Sequence, residues 1–402
     1  MEVYILFAKI RTKHFLHLLI STGLLLFVAS CARLNPQKEA QVLISKINTH
    51  AIIIPVIISN KTYNFLLDTG ASFTVIDNNL AKTLTQQATQ AQIPAIVYET
   101  NIKGIASVDS SLQMHELTFW QPHPITIGNY QIPESDPWLG LDLDVYSQVA
   151  GVKVDGILGI EIFRQLNWAV DNRSNSLTVW RHAPSILGYQ QCIPYSDRYN
   201  GAPELQMDYK PSAIFLRVDT GADFSYVSDE FINFLKDKNQ ENVAPEMKSG
   251  HQVSATGLYH EDSYLVNGLY FNDMSVGRMK VGENKQGMYG IGMNFLSRFD
   301  NYLFIPSKML FCYNASNFTR YDKEPLRKIS VRYFAQHIEV FYNESKDIAR
   351  FGLMNGDVLL TVNGQKITPA KIDDLRQLLS YTPSGTLTLI LERNGKQQTI
   401  KI

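Results

Sequence analysis

Apolar and polar positions along the chain alternate in short runs, a pattern that predicts β-strands in preference to long helices. In the first half, residues 52–58 and 63–67 are largely apolar and flank a polar turn at residues 59–61. Two apolar runs around a short polar turn are typical of a β-hairpin. Residues 214–218 form a similar run after a polar turn at residues 208–211, which predicts a second hairpin.

Each predicted hairpin leads into the same motif, so the chain repeats itself. The Asp-Thr-Gly-Ala string at residues 68–71 recurs at residues 219–222, an offset of 151 residues. A later string of apolar residues around a glycine aligns when Gly159 is placed on Gly292, an offset of 133 residues. The offsets differ by 18 residues, and we assign the insertion to the Pro- and Asp-rich stretch 132–154. Two copies in register predict a duplicated unit.

Turn signals at short spacing and few helical periods predict that each copy is a mainly β, barrel-like unit. Short helices are expected after each Asp motif, at residues 78–85 and 228–236. We therefore predict two pseudo-symmetric β-barrel lobes, at residues 31–186 and 187–317. The chain has 402 residues, 45% of them hydrophobic, which is enough to fill two or three cores.

The pattern changes after about residue 317. A charged, proline-containing stretch at residues 322–326 predicts a linker. Apolar strands follow, together with a helical period at residues 372–379 and an Asn-Gly hairpin signal at residues 394–395. We predict a separate α+β domain at residues 318–402.

The first thirty residues have the pattern of a secretory signal peptide. Basic residues precede an apolar stretch at residues 15–28 that is short for a membrane-spanning helix. Small residues and Cys31 close this stretch, and the ending resembles a bacterial lipobox. The resemblance implies cleavage after residues 1–30, a lipid anchor on Cys31 and a place in the cell envelope, on the periplasmic face of the outer membrane or the cell surface. Ordinary signal cleavage nearby or an uncleaved N-terminal anchor is the alternative.

Charge, cysteines and missing motifs narrow the classes of function. The formal net charge is −1 and there is no basic tract, which argues against a nucleic-acid partner. Secretion permits a disulfide between Cys192 and Cys312, but the sequence does not place their Cα atoms, so two independent buried thiols are favoured. Neither a His-Glu-x-x-His metal motif nor a Gly-x-Ser-x-Gly elbow occurs, so no metal, cofactor or serine nucleophile is expected.

The paired Asp-Thr-Gly motifs carry the chemistry that we predict. The glycine permits a tight loop, and the threonine supplies a hydroxyl that can brace it. A pseudo-two-fold axis between the copies would bring Asp68 and Asp219 into one site. Two carboxylates at hydrogen-bond distance share one proton, because both cannot ionise easily. Such a pair can activate a water as base and protonate a carbonyl as acid.

These features resemble the retropepsin–pepsin group of aspartic peptidases over about residues 42–314. The resemblance implies an aspartic-type endopeptidase for peptide or protein substrates, with Asp68 and Asp219 as the catalytic pair. It implies that two threonines brace the loops across the lobe interface and that two glycines complete them. These supporting residues are Thr69, Gly70, Thr220 and Gly221.

The same resemblance predicts the walls of a substrate cleft. An extended peptide would lie beneath two flaps as an added strand. Candidate flap residues are Gly104 in the first copy and Gly257 in the second. Asp223 stands where retropepsins carry a substrate-contacting Asp, and Ser72 takes that place in the first copy, which predicts an asymmetric cleft. A loop-bracing role is the alternative for both residues.

Ala71 and Ala222 occupy the fourth motif position, as in retropepsins, where pepsin-like enzymes carry a hydroxyl. Losing that hydrogen bond removes one stabiliser of the ionised carboxylate, so we expect a pH optimum of roughly 4.5 to 6.5. Because both motifs lie on one chain, no second subunit should be needed and a monomer is expected.

The C-terminal region resembles a PDZ domain over about residues 328–402, on the strength of the Gly-Asp turn at residues 356–357 between apolar strands. Such domains bind chain ends or extended segments by strand addition. The glycine of the carboxylate-binding loop is missing at residues 329–333, so a lid or docking role is equally open. For the whole protein, the competing hypothesis is a catalytically silent peptide-binding or scaffold lipoprotein on the same fold.

Overall fold

A computed structural model describes most of the chain from residue 39 onward. The described residues are 39–43, 46–47, 51–95, 97, 105–106, 111–133, 136–197, 201–238, 240–245, 251–254, 257–260 and 262–402. Gln41–Ile402 forms one compact unit. The predicted signal peptide, Cys31 and Gly104 lie outside the described residues.

Strands dominate the first half of this unit. Their bounds are β1 (Gln41–Leu43), β2 (Lys46–Ile47), β3 (Ile52–Ile58), β4 (Lys61–Leu67), β5 (Val75–Asp77), β6 (Ile105–Ala106), β7 (Ser111–Leu112), β8 (Thr118–Trp120), β9 (Ile125–Ile127), β10 (Tyr130–Ile132), β11 (Trp138–Leu141), β12 (Gly156–Leu158), β13 (Asn167–Asp171) and β14 (Ser176–Trp180). The α-helices whose bounds the structure describes here are α1 (Asn78–Leu84), α2 (Asp144–Ala150) and α3 (Ile160–Phe163). The carboxylate of Asp77 caps α1, accepting from the amides of Asn79 and Leu80.

The second half repeats much of this order. Its strands are β15 (Gln191–Pro194), β16 (Glu204–Tyr209), β17 (Ser212–Val218), β18 (Ser225–Ser228), β19 (Val243–Pro245), β20 (His251–Ser254), β21 (Gly257–His260), β22 (Ser263–Phe271), β23 (Met274–Asn284), β24 (Gly290–Ile291), β25 (Asn301–Ile305), β26 (Leu310–Asn314) and β27 (Arg320–Tyr321). Its helices are α4 (Asp229–Lys238) and α5 (Met293–Leu296). Because β27 adds to the sheet of this half, that sheet reaches past residue 317.

The C-terminal region has its own sheet and its own buried apolar cluster. Its elements are β28 (Val331–Phe334), β29 (His337–Val340), α6 (Ser345–Ala349), β30 (Val358–Val362), β31 (Gln365–Lys366), α7 (Ile372–Tyr381), β32 (Thr388–Arg393) and β33 (Lys396–Lys401). Asn394 and Gly395 join the last two strands with φ angles of 51° and 72°, as a two-residue hairpin turn requires. No helix within the described ranges is long and apolar enough to cross a membrane.

Equivalent strands of the two halves pair in the same way. In the first half, nine of the described strands form a sheet in the order β10-β9-β3-β4-β12-β5-β11-β8, with β2 beside β3. In the second half, eight of the described strands follow the order β19-β22-β16-β17-β24-β18-β23-β27. In both sheets the second hairpin strand runs parallel to the later glycine-containing strand, as β4 with β12 and β17 with β24. The two sequence repeats thus correspond to the same piece of structure.

A third sheet joins the halves. Six of the described strands lie in the order β1-β14-β13-β25-β26-β15, and its central pair is one strand from each half. In that pair, Trp168 lies opposite Phe304 and Asp171 opposite Asn301. Trp168 and Phe304 are 1% exposed and belong to an apolar cluster that runs through both halves. Each such side chain contributes about 1.5–3 kcal/mol when buried, so the junction is part of the core.

Cys192 and Cys312 form a disulfide, so the expectation of two free thiols is wrong. The two residues lie directly opposite each other where β15 and β26 pair antiparallel at the edge of the shared sheet. Gln41 and Val179 are paired at the equivalent place in the first half. The bond depends on the register between strands 120 residues apart, which composition and spacing do not reveal.

Helix α2 lies in the stretch that we assigned to the insertion, and it contacts the C-terminal region. The side-chain oxygen of Gln148 accepts hydrogen bonds from Arg332 Nη1 at 3.2 Å and from the Tyr342 hydroxyl at 2.6 Å. A Cβ placed on Gly151, which follows the helix, would lie 2.7 Å from Ile372 Cγ2 at the start of α7. The insertion therefore supplies a docking point between β28 and α7.

The predicted linker is held at its first residue. Asp322 accepts a hydrogen bond from the backbone amide of Lys280 at 3.0 Å and another from Arg298 Nη2 at 3.0 Å. Arg298 is 1% exposed, and its guanidinium also donates to the carbonyl of Val276 at 2.6 Å. A buried charge with this many partners ties the start of the linker to the second half.

Candidate active site

The two Asp motifs lie at the ends of β4 and β17. Each Asp is fixed by its own backbone: the amide of Asp68 donates to the carbonyl of Leu158 at 3.0 Å, and that of Asp219 to Ile291 at 2.9 Å. These partners end the glycine-containing strands β12 and β24, which run beside the loops. Two separate parts of each half therefore hold each carboxylate in place.

Thr69 and Thr220 join the two loops by reciprocal hydrogen bonds. The hydroxyl of Thr69 donates to the carbonyl of Val218 at 2.6 Å and accepts from the amide of Thr220 at 3.2 Å. The hydroxyl of Thr220 donates to the carbonyl of Leu67 at 2.7 Å and accepts from the amide of Thr69 at 3.1 Å. The two threonines are 0% and 2% exposed. The structure thus brings the two motifs face to face.

The carboxylates of Asp68 and Asp219 meet across this junction. Asp68 Oδ1 accepts from the amides of Gly70 at 2.7 Å and Ala71 at 3.1 Å, and Asp219 Oδ1 accepts from Gly221 at 3.1 Å. A Cβ on Gly70 would lie 2.6 Å from Asp219 Cγ, and one on Gly221 would collide with the Asp68 carboxylate. Each carboxylate therefore packs against the glycine of the opposite loop, where a side chain would not fit.

Burial and the neighbouring charge perturb the titration of this pair. Burial, followed by the charge of Asp219, raises the pKa of Asp68 to about 8, while the Gly70 amide and Arg217 act in the opposite direction. Two adjacent carboxylates in a site shielded from water bind one proton between them over a wide pH range. Such a pair holds a base and an acid side by side at mildly acidic and neutral pH.

In each half, one further side chain supports the chain just after the Asp-Thr-Gly loop. Glu161 Oε1 accepts from the amide of Thr74 at 2.8 Å, and at the equivalent positions Asn294 Oδ1 accepts from the amide of Ser225 at 2.8 Å. Burial raises the pKa of Glu161. An amide and a carboxyl therefore do the same bracing work in the two halves, which sequence reasoning did not anticipate.

Two further side chains beside the pair were missed from the sequence. The hydroxyl of Tyr226 donates to Asp219 Oδ2 at 2.8 Å, and Arg217 lies close enough to lower the pKa of Asp68. A signal for them exists in the repeat: at the offset of 151 residues, Arg217 aligns with Leu66 and Tyr226 with Val75. Charged and polar residues thus replace apolar ones next to a conspicuous motif.

The predicted cleft residues lie around the two loops. Ser72 and Asp223 follow the motifs and are partly exposed, and the carbonyl of Asp223 accepts from the amide of Asn294 at 3.0 Å. Gly257 begins β21 opposite Ser254, in a two-stranded hairpin outside the larger sheets, and its φ of 115° favours glycine. The matching pair in the first half is β6–β7, directly after the undescribed Gly104.

No cluster of three His, Cys, Asp or Glu side chains suited to a metal occurs among the described residues. The arrangement at Asp68 and Asp219 is one for proton transfer. It offers a hydrogen-bond acceptor and a protonated carboxyl next to each other, which suits acid–base chemistry.

Residues 54–162 match the family model for aspartyl proteases. The matched segment contains the first Asp-Thr-Gly loop and the strand β12 beside it. It supports an aspartyl-protease fold for this part of the chain and a peptidase as the class of function. No curated protein matches the sequence. Among solved structures, the aspartic proteinase from Irpex lacteus is similar with a TM-score of 0.40 and 14% identity, over 70% of this chain and 98% of that chain.

Proposed function

We propose that this protein is an aspartic endopeptidase that hydrolyses peptide bonds with a water held between Asp68 and Asp219. The observation that carries the proposal is the reciprocal pairing of Thr69 and Thr220, which sets two Asp-Thr-Gly loops face to face within one chain. Both carboxylates are present and each is fixed by backbone amides.

The chemistry divides between the two carboxyl groups. The ionised carboxylate accepts a proton from the water while the oxygen of the water bonds to the scissile carbonyl carbon. The protonated member gives its proton to the carbonyl oxygen, and a gem-diol results. The carbon–nitrogen bond then breaks as the nitrogen receives a proton from the first carboxyl. One hydroxyl of the gem-diol returns its proton to the second carboxylate, so that an acid and an amine leave and the pair regains its single proton. No metal or covalent intermediate enters these steps.

Substrate would lie in a cleft between two β-barrel lobes, one from each half of the chain. An extended peptide would add as a strand beneath the hairpins β6–β7 and β20–β21, with main-chain hydrogen bonds for affinity and side-chain pockets for specificity. Ser72 and Asp223 would contact the two sides of the peptide. Their difference in charge predicts that basic side chains are preferred on the Asp223 side, which cleavage of a peptide library by Asp223→Ser would test.

The C-terminal region would be a PDZ-like domain in a docking role. The contact of Gln148 with Arg332 and Tyr342 supports this, because it places a helix of the first half beside the edge strand β28. A free peptide with a C-terminal carboxylate should then bind more tightly to Gln148→Ala than to the wild type in calorimetry. Equal binding would argue for peptide capture instead.

The N-terminal segment would tether the protein to the cell envelope as a monomeric lipoprotein. The motif at Cys31 is the support for this part of the proposal. Labelled fatty acid should enter the wild-type chain and should be absent from Cys31→Ser. Incorporation into both would show that the anchor lies elsewhere.

The decisive experiment uses the full-length chain in mild detergent with a peptide library over mildly acidic to neutral pH. We expect cleavage by the wild type and none by Asp68→Asn or Asp219→Asn. Asp237→Asn, an exposed residue on α4, is the matched control and should retain activity. Binding without cleavage by all four proteins would favour a silent peptide-binding lipoprotein.

A further inference from the structure

The two halves differ at three equivalent positions beside the carboxylates. In the first half, Leu66, Ile157 and Val75 lie side by side on β4, β12 and β5, and all three are buried in one apolar cluster. The second half has a cation, a glycine and a phenol in the same register on β17, β24 and β18. These residues are Arg217, Gly290 and Tyr226. The two halves therefore differ in side-chain chemistry at three neighbouring positions of the same sheet.

Tyr226 reaches the carboxylate because Gly290 leaves room for its ring. The tyrosine is 3% exposed, and its hydroxyl donates to Asp219 Oδ2 at 2.8 Å. A Cβ on Gly290 would lie 2.6 Å from that hydroxyl oxygen. Ile157 occupies the equivalent position in the first half, so a tyrosine at the place of Val75 would collide with it. Only the second half is built to seat a phenol beside its carboxylate.

Arg217 is the second polar residue of this group. Its guanidinium is hydrogen-bonded to the Tyr226 side chain and attracts both carboxylates. Burial acts to lower the pKa of Arg217, but Tyr226 and the carboxylates outweigh it and leave the pKa raised, so the group stays cationic. Burial, followed by the charge of Asp219, raises the pKa of Tyr226, so the phenol keeps its proton and remains a donor.

Few other charges act on this cluster within the described part of the chain. The charged groups that shift the pKa of Asp68 are Asp219 and Arg217, and the same two groups shift the pKa of Tyr226. Glu204 is paired with Arg217 across the hairpin, but its carboxylate accepts from the Ser196 hydroxyl at 2.7 Å. The two carboxylates, the phenol and the guanidinium therefore form one electrostatic unit with a single positive charge.

We propose that Tyr226 and Arg217 are positioning residues that assign fixed roles to the pair, with Asp219 as the carboxylate that takes the proton of the water and Asp68 as the acid that protonates the scissile carbonyl. This inference rests on the proposed peptidase function. A hydrogen bond from a neutral phenol stabilises an ionised acceptor, and the guanidinium balances the one negative charge of a pair that shares one proton. In the first half the equivalent residues Leu66 and Val75 are apolar, so they supply neither a donor nor a cation that would favour an ionised Asp68.

The test compares pH profiles of kcat/KM for the full-length wild type, Tyr226→Phe, Arg217→Met and Arg217→Lys. Loss of the Tyr226 hydroxyl removes a donor that stabilises the negative charge of the carboxylate pair, so the acidic limb for Tyr226→Phe should move up by about one pH unit, which is about a tenfold loss of kcat/KM on that limb. Arg217→Met should shift the acidic limb in the same direction. Arg217→Lys keeps the positive charge, so its acidic limb should lie close to that of the wild type. Tyr289→Phe is the matched control, since that hydroxyl contacts Ser228 instead of the pair.

An acidic limb for Tyr226→Phe that coincides with the wild type would overturn the inference. An equal loss at every pH would also overturn it, because that is the result of a structural role alone. A wild type that cleaves no peptide refutes the proposed function, and the pH dependence of urea unfolding then tests the inference separately. Since a phenol donates a stronger hydrogen bond to an ionised carboxylate than to a neutral carboxyl, Tyr226→Phe should destabilise the chain more at about pH 7 than at about pH 3. A constant difference would refute it.

Discussion

Replacing Thr69 by valine removes two buried hydrogen bonds while keeping the shape of the side chain. The carbonyl of Val218 and the amide of Thr220 lose their partner, and the surrounding loops leave no access to water. Each buried backbone group left without a partner costs about 1–3 kcal/mol, so we expect a loss of about 2–6 kcal/mol in the free energy of unfolding. That is a large part of the usual stability of a domain, about 5–15 kcal/mol.

Urea unfolding followed by tryptophan fluorescence measures the loss, and the slope of the transition should stay unchanged. Thr69→Ser keeps the hydroxyl and should cost only about 1 kcal/mol for the lost methyl group. Thr83→Val, on the exposed face of α1, is a control that should stay within about 0.5 kcal/mol. If Thr69→Val is as stable as Thr69→Ser, the hydroxyl does not join the loops and the reasoning fails.

Three further predictions concern proton binding, the disulfide and a buried cation. Because the pKa of Asp68 is raised to about 8, the native chain keeps a proton that the unfolded chain releases, so stability should fall from about pH 4 to pH 8; Asp68→Asn should flatten this fall in urea titrations, and an unchanged slope would contradict it. Reduction of the disulfide between Cys192 and Cys312, which spans 120 residues, should cost up to about 5 kcal/mol in thermal unfolding, whereas the double serine variant should not respond to reductant. Arg298→Met leaves the Asp322 carboxylate without its buried partner and should cost about 3–5 kcal/mol in urea unfolding; a loss below about 1 kcal/mol would refute the bracing role.

Local patterns predicted the elements next to the two motifs well. The apolar run at residues 52–58 is strand β3 with the same bounds, and the helix expected at residues 78–85 is α1 at Asn78–Leu84. Such features depend on neighbouring residues: strand alternation, a polar turn, and an Asp cap at the helix start. The repeat added the one long-range fact that was needed, namely that the two loops occupy equivalent places.

Features that depend on pairing between distant strands were not predictable in the same way. The disulfide follows from the register of β15 against β26, and the seat of Tyr226 follows from Gly290 on a neighbouring strand. The repeat marks Tyr226 as unusual, because Val75 stands at the equivalent position, but it does not show that Gly290 makes room for the ring. The pairing of Cys192 with Cys312 has no local signature. The contact of Gln148 with Arg332 likewise joins residues that are 184 positions apart in the chain.

The junction of β13 and β25 has a register that maps onto itself when the halves exchange places. Trp168 lies opposite Phe304 and Asp171 opposite Asn301, while the offset of 133 residues makes Trp168 the counterpart of Asn301 and Asp171 that of Phe304. This is an isologous contact, the kind that two identical subunits form. In a separated half, β13 or β25 would be an unpaired edge strand, and it could pair with the same strand of a second copy. A chain cut between β14 and β15 therefore has two ways to reassemble, as homodimers or as the native pair, and the uncut connection favours the native pair by keeping its two strands at a high effective concentration.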